Sequence, residues 1–556
     1  MITRRGYALG VLAVVVAIAV APVVVLTLHA LFERMPDGTL QPSLVHLRTV
    51  LSRVRLGELF GNSLVFAAGS AALALVAGTL LAWVAERSDV PGRSALLMIG
   101  LLPLAFPGVL FNLAWILLAS PRIGWLNRIA SEGLGVPAPL VDIYSMQGMI
   151  WVDGLHSAPV AFLMMVAAFR AVDPTLEESA RLAGASQFAV LRKVVLPMLL
   201  PALGGAFLLL FLHALESIEA PAFLGLPAGI QVFTSAIVDA FRRDGGELGP
   251  VSALAALPLI VTVLGVLLLR RVTGEAGRRA MPTPGVGRAP PVALGRWRTP
   301  VALLVLAWCG LSLLLPFAAL LWSSLHPWGL SGVGAAGSGL GFDEYRRLAR
   351  YPQVGEAFAN SLLLAGLAAT IVMVLASVVA WISVRGNTRI ERALDPIASL
   401  PIAYPGVVVG VAIMILSLST GGWLYGTIWI LLVAYVTRFL PVGVRYSSAA
   451  LTRVPVELEE AGRISGATPA GALARITVPL ALPGLAVGWC YVAIVAFREL
   501  SASLLLYSPG SAVIGVVLWD MLEAGQYGTA SAIGVLFVLA LGCLILFLRR
   551  ARVYAW

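Results

Sequence analysis

Along the whole chain, long apolar stretches alternate with short polar ones. A helix rises about 1.5 Å per residue and closes its own backbone hydrogen bonds, so about twenty apolar residues suffice to cross a hydrocarbon core. On that criterion the pattern predicts twelve transmembrane helices. Six lie at about 8–31, 62–85, 95–118, 147–169, 197–216 and 250–270. Six more lie at about 300–323, 361–383, 394–417, 423–447, 479–498 and 530–548. The expected fold class is an all-α polytopic membrane protein. Between them the pattern lapses: Gly274, Arg278, Arg279, Pro282, Pro284, Pro290 and Pro291 make a flexible basic linker. The chain thus divides into a six-span repeat at 1–271, a cytoplasmic linker at 272–298 and a second six-span repeat at 299–556.

The two halves are related in detail. Phe60-Gly-Asn62-Ser-Leu returns as Phe358-Ala-Asn360-Ser-Leu, Ala82-Trp83 as Ala380-Trp381, and Pro103-Leu-Ala-Phe-Pro107-Gly108 as Pro401-Ile-Ala-Tyr-Pro405-Gly406, all at an offset of 298. An even number of spans per repeat sets both halves the same way up, a parallel repeat about an axis along the membrane normal. Arginines at the span ends, among them Arg87, Arg192, Arg385, Arg453 and Arg549, mark the cytoplasmic side, and both termini fall there. Arg242 and Arg347 lie on the other side, so the charge rule holds by weight.

Two polar islands stand out. Glu178-Ser-Ala-Arg-Leu-Ala-Gly184 runs on to Pro197, and Glu460-Ala-Gly-Arg-Ile-Ser-Gly466 runs on to Pro479. In each, glutamate and glycine are six positions apart, and glycine and proline thirteen. Asp173-Pro174-Thr175 reads as a helix start, with Thr175 and Glu178 spaced as a capping box. Gly184 is suited to end that helix in a left-handed turn, and Ser186 to cap the next. Pro455, Gly466 and Thr468 repeat the plan. Each island is expected as a short helix, a glycine elbow and another short helix outside the bilayer.

On these residues the chain resembles the permeases of type I binding-protein-dependent ABC importers, whose EAA loop has this spacing. Ser179 and Gly462 stand as small substitutions in the pattern, and Val194 and Val478 as apolar ones. The resemblance implies that Glu178, Ala180, Gly184 and Pro197, with Glu460, Ala461, Gly466 and Pro479, form coupling helices. These would dock on two copies of a separate cytoplasmic ABC ATPase. A phosphate-cradling loop needs a lysine after a glycine-rich turn. The only lysine, Lys193, sits in Leu-Arg-Lys-Val-Val, with no glycine before it and no hydroxyl after it. ATP and magnesium would therefore belong to the partner, this chain binding no cofactor itself. The resemblance further implies a periplasmic or lipid-anchored substrate-binding protein and a place in the bacterial inner membrane.

Composition agrees. Of 556 residues, 59% are hydrophobic and 12% charged, where a soluble chain would carry about twice that charge. Mean hydropathy is +0.93. The net charge of +10 comes almost wholly from arginines between spans, which reads as orientation within membrane lipid and not as nucleic-acid binding. Cys309, Cys490 and Cys543 all fall in apolar runs, so no disulfide framework is expected. The first apolar run is too long for the core of a cleaved signal peptide and reads as a retained span.

Ionisable groups at membrane depth are costly and mark candidate function. They are Asp153 and His156; His213, Glu216 and Glu219; Arg438; and Arg498-Glu499. Glu216, Glu219, Arg498 and Glu499 are candidates for the translocation path or gate, or for ion pairs that fix the helices. The stretches Glu216–Gly229 and Arg498–Leu506 resemble the fused permeases of ferric-iron importers, which implies a ferric cargo. Related fused permeases carry thiamine or aminoethylphosphonate, and a polyamine importer is a further possibility of the same class. On the outer side, Arg242, Arg243, Arg346 and Arg347 are candidates to steer a binding protein. An ion-coupled secondary transporter is the rival class; it calls for carboxylates deep in broken helices, often with inverted repeats. No enzymatic constellation and no metal-ligand set is read from the sequence, and no catalytic residue is assigned.

Overall fold

The computed structural model describes residues 4–34, 39–53, 55–93, 96, 100, 103, 106–133, 135, 137, 139–243, 248–279, 291–326 and 340–550. The centre of the expected linker, 280–290, and much of 94–105 lie outside the described residues.

The main elements follow in chain order. Helices α1 (Arg4–Ala19) and α2 (Ala21–Leu31) lead into a small antiparallel pair of strands, β1 (Phe32–Arg34) and β2 (Leu40–Pro42), which departs from the expected all-helical plan. Then come α3 (Val45–Arg53), α4 (Leu56–Arg87), α5 (Gly108–Ala119), α6 (Met146–Arg170), α7 (Pro174–Leu182), α8 (Leu196–Glu216), α9 (Phe233–Arg243) and α10 (Leu248–Arg279). The second half has α11 (Arg298–Cys309), α12 (Leu315–Leu325), α13 (Asp343–Ala349), α14 (Pro352–Val384), α15 (Arg389–Ala398) and α16 (Gly406–Ser419). It ends with α17 (Ile428–Leu451), α18 (Val456–Ile464), α19 (Val478–Phe497), α20 (Ile514–Glu523) and α21 (Tyr527–Arg550).

Among the described residues eight helices are long and apolar enough to cross a membrane, or up to eleven if each bent pair counts as one span. The run expected as a straight helix at 394–417 is bent by 107°. Pro405 is the cause: it donates no backbone hydrogen bond and holds the preceding Tyr404 extended, at φ −104° and ψ 111°. A second departure lies after α8, outside the twelve expected spans, where Pro221–Ala228 and Phe233–Arg243 form an apolar pair bent by 74°.

The chain forms two compact units. The first comprises 1–55, 236–263 and 352–517; the second 56–235, 264–351 and 518–556. Each therefore takes its opening helix from the other sequence half. In the first unit, Ala8, Val15 and Ala19 of α1 are buried with Leu394 and Ala398 of α15 and Leu440 and Val444 of α17. In the second, Cys309 of α11, with Val301, Ala302 and Val305, packs on Leu81, Val84 and Ala85 of α4. Small residues let the central helices approach closely, as Ala71 and Ala74 of α4 do against Ala161 of α6. The matched Asn-Ser pairs do matched work. Asn62 donates to the Gln231 carbonyl (3.2 Å) while Ser63 accepts from the Phe233 amide (3.0 Å). Asn360 donates to Gly510 and Ala512 (3.1 and 3.0 Å), and Ser361 accepts from the Ile514 amide (2.9 Å).

Candidate functional site

The two polar islands fold alike. In the first, Asp173 caps α7 by accepting from the Thr175 amide at 2.9 Å, with Pro174 in the first turn. The cap is thus Asp173, which also takes the Thr175 hydroxyl at 2.8 Å, in place of the expected Thr175–Glu178 box. Gly184 turns the chain at φ +86° and Ser186 caps the next helix through the Ala189 amide. In the second, Gly466 turns at φ +94° and Thr468 caps through the Gly471 amide. Ala185 and Ala467 each return an amide bond of 3.0 Å to Ala180 and Gly462. Pro197 and Pro479 supply no N–H, and the ladder widens to a π-turn just ahead of each, at Leu191–Val195 and Leu473–Thr477.

Glu178 and Glu460 are exposed, as are Gly184, Ala461 and Gly466; Ala180 is half-buried. At the matched tip positions Leu182 and Ile464 stand 90% and 88% exposed, an apolar point in each loop that folding leaves uncovered.

The preceding glutamates behave in the opposite way. Glu177 is buried against Arg87, the last residue of α4, with Nη1 and Oε1 2.8 Å apart, and Arg181 lies 3.7 Å away. Arg87 also donates to the Phe169 carbonyl at the end of α6, at 3.0 Å. In the other unit Arg385 meets Glu459 at 3.3 Å and donates to the Val454 carbonyl at 2.6 Å, while the Trp381 indole donates to the same carboxylate at 3.1 Å. The sequence carries a signal for these pairs: a Glu-Glu doublet in both islands, and an arginine at the same place after each Ala-Trp.

Several of the intramembrane charges gather in two centres, one in each unit. In the second unit Asp153, 7% exposed, shares a centre with Ser70, Ser217 and Glu219. One turn along α6, His156 makes a 3.0 Å contact with the Phe106 carbonyl. In the first unit Arg438 donates to the Glu499 carboxylate at 2.6 Å, and the Ala502 amide donates to the same oxygen at 2.9 Å. The guanidinium lies over Gly406, where any Cβ would collide with it. By the spacing of the islands, His156 and Arg438 hold equivalent positions, as do Ser217 and Glu499. Glu216 ends α8 and Arg498 caps the end of α19, both half-buried. Glu499 is thus one half of a buried ion pair.

On the other loops, Arg243 pairs with Asp239 (2.8 Å), Arg346 with Asp343 (3.0 Å) and Arg347 with Glu344 (3.3 Å); Arg242 sits beside Arg243 at the end of α9. In the second unit a cavity of about 310 Å³ is lined by Tyr144, Phe223, Trp519, Glu523 and Tyr527, among others. Burial holds the Tyr144 phenol above its ordinary value, so it stays a neutral donor. Among the described residues no three His, Cys, Asp or Glu side chains are gathered to hold a metal.

Apolar helices in two sequence repeats, each with an elbowed polar loop anchored to its membrane helices, are the parts of a transport permease. The chain belongs to the family of binding-protein-dependent transport system inner membrane components, whose model matches residues 74–274 and again 357–554. It is 25% identical over 506 residues, covering 90% of this chain and 91% of the relative, to the Fe(3+)-transport system permease protein FbpB 2 of Haemophilus influenzae. It is 24% identical to the ferric transport system permease protein FbpB of Actinobacillus pleuropneumoniae, over 73% of this chain and 58% of that one. A Salmonella choleraesuis protein provisionally named as the 2-aminoethylphosphonate transport system permease PhnV is 25% identical over 44% of this chain and 89% of its own. The chain is thus a permease subunit of an ABC importer, a multi-pass inner-membrane protein with both family repeats fused in one polypeptide, and its relatives are transport permeases, not enzymes.

Proposed function

We propose that this permease forms the translocation path of an importer powered by two separate ATPase subunits, one on each loop, and that its cargo is ferric iron. The observation that carries the coupling role is the duplicated loop. The same elbow appears twice, with an exposed glutamate and an exposed apolar tip at matched positions (Leu182 and Ile464). Similarity to a ferric permease over 90% of this chain and 91% of that one supports the cargo.

On this reading twelve spans cross the membrane, with α5 and α21 completed as crossings and each of the α1–α2 and α15–α16 pairs counted as one. The repeats at 1–271 and 299–556 are joined by a cytoplasmic linker, and both termini are cytoplasmic. ATP and magnesium are held by the ATPases. A periplasmic or lipid-anchored binding protein delivers the cargo to an outer face steered by Arg242, Arg243, Arg346 and Arg347. Glu216, Glu219, Arg498 and Glu499 lie along the path or its gate.

The test is purification of the tagged chain in mild detergent, with identification of what accompanies it and metal analysis of the binding protein. An ATPase and an iron-loaded binding protein are expected. A metal-free binding protein would overturn the ferric cargo alone. A chain that purifies alone and transports in vesicles without ATP would overturn the coupling role. Replacing Glu178, Gly184, Glu460 and Gly466 together is expected to abolish uptake.

A further inference from the structure

Each loop touches one membrane helix that the chain does not connect it to, and it does so through a buried arginine. Arg87 and Glu177 have side chains 6% and 7% exposed; for Arg385 and Glu459 the values are 17% and 8%. Each arginine ends or directly follows the long helix that opens its repeat's core, α4 or α14. Its other contact is a backbone carbonyl at or just beyond the end of the helix before the loop, α6 or α17. So one guanidinium holds three pieces: its own helix end, the neighbouring helix end and the short loop helix.

We propose that Arg87 and Arg385 are positioning residues that carry movement of the loop helices into the membrane, through Glu177 and Glu459. The inference rests on the coupling-loop reading and names the link by which those loops act. Apolar contacts slide, because one methyl replaces another at little cost. A buried ion pair does not slide, because separating it strands a charge in a medium of low dielectric. The planar guanidinium also presents its donors as a fork, which lets one side chain bind carboxylate and carbonyl together; an ammonium lacks that geometry. When an ATPase pair shifts α7 or α18, α4 or α14 must follow. The arrangement occurs in both units with the same residue types, which a chance surface pairing would not produce.

The experiment uses the full chain, assembled with its ATPase and binding protein in vesicles, and reads uptake per ATP hydrolysed. Arg87→Lys with Arg385→Lys is expected to keep the ATPase bound and its basal hydrolysis intact. Uptake per ATP should fall by about tenfold, within the range by which changes along a coupling network alter coupling. Normal uptake per ATP in that variant would overturn the proposal. A second arm replaces Cys309, Cys490 and Cys543 by Ser, then introduces Arg87→Cys with Glu177→Cys. Uptake lost in the reduced protein should return when a short bifunctional thiol reagent joins the two positions. A joined protein that stays uncoupled would overturn it, since a clamp that only needs to hold is restored by a covalent tie. Failure of the underlying reading looks different: the ATPase would not accompany the unaltered chain, and the Glu178, Gly184, Glu460 and Gly466 replacements would leave uptake unchanged.

Discussion

At the scale of single residues, the buried charges decide most. Arg438 and Glu499 satisfy one another at 2.6 Å, and Glu499 also takes an amide from Ala502. Removing one member of such a pair leaves the other charge buried, which costs about 3–5 kcal/mol. Arg438→Gln is therefore expected to lower the melting temperature in detergent markedly. The double change Arg438→Gln with Glu499→Gln is expected to recover most of it, measured in the same melt. If Glu499 also serves the path, that recovered protein still transports poorly, which separates stability from function. Gly406→Ala should also destabilise, because the new methyl would displace the guanidinium. The sequence disclosed these charged groups and their costly placement. It did not disclose that Arg438 and Glu499 are partners, since they lie 61 positions apart, beyond the reach of any local signal.

At the scale of elements, the loops divide their side chains between two tasks. Neighbouring glutamates point opposite ways: Glu177 and Glu459 are buried anchors, while Glu178 and Glu460 face outward. Leu182 and Ile464 make no use of folding, so Leu182→Ser with Ile464→Ser is expected to leave the melting temperature unchanged. The same variant should retain much less ATPase on purification, and unchanged retention would count against the docking role. Gly184→Ala and Gly466→Ala force a Cβ into the left-handed region at a cost of about 1 kcal/mol each. A small drop in melting temperature checks that. The elbows and the restart caps were legible, because capping is a local interaction; the second short helix expected after each elbow instead runs on through Pro197 or Pro479 into the membrane helix, as Gln187–Glu216 and Pro469–Phe497. The start of α7 was legible at Asp173-Pro174, but the Thr175–Glu178 box was not the cap, since both Asp173 and Thr175 are suitable caps and the sequence does not rank them. The 107° break was missed although Pro405 was in view, because apolarity by itself does not distinguish a straight span from a bent one.

At the scale of the whole molecule, the repeat seen in sequence and the compact units divide the chain differently. Helix α1 is buried on residues of the second half, and α11 on residues of the first. Either half alone would expose the apolar face that these helices cover. A chain ended at residue 279 is accordingly expected to accumulate poorly when expressed alone. Co-expression with residues 291–556 is expected to restore its accumulation, as followed by size-exclusion profiles in detergent. A stable, monodisperse first half would contradict this. The aromatic cavity of the second unit belongs to this scale too, since it gathers residues as distant in sequence as Tyr144 and Tyr527.

Hydrophobic runs, cap residues and spacing determined by themselves that the chain is a duplicated helical membrane protein with two elbowed loops. Those features follow from backbone satisfaction in lipid and from contacts within a few residues. Tertiary structure alone decided which helix each unit borrows, which arginine meets which glutamate, and which of two adjacent glutamates is buried. The physical reason is that lipid rewards apolarity uniformly and does not specify partners. Partner choice is made by a few buried charges, small residues and prolines, whose meaning appears only when distant segments are brought together.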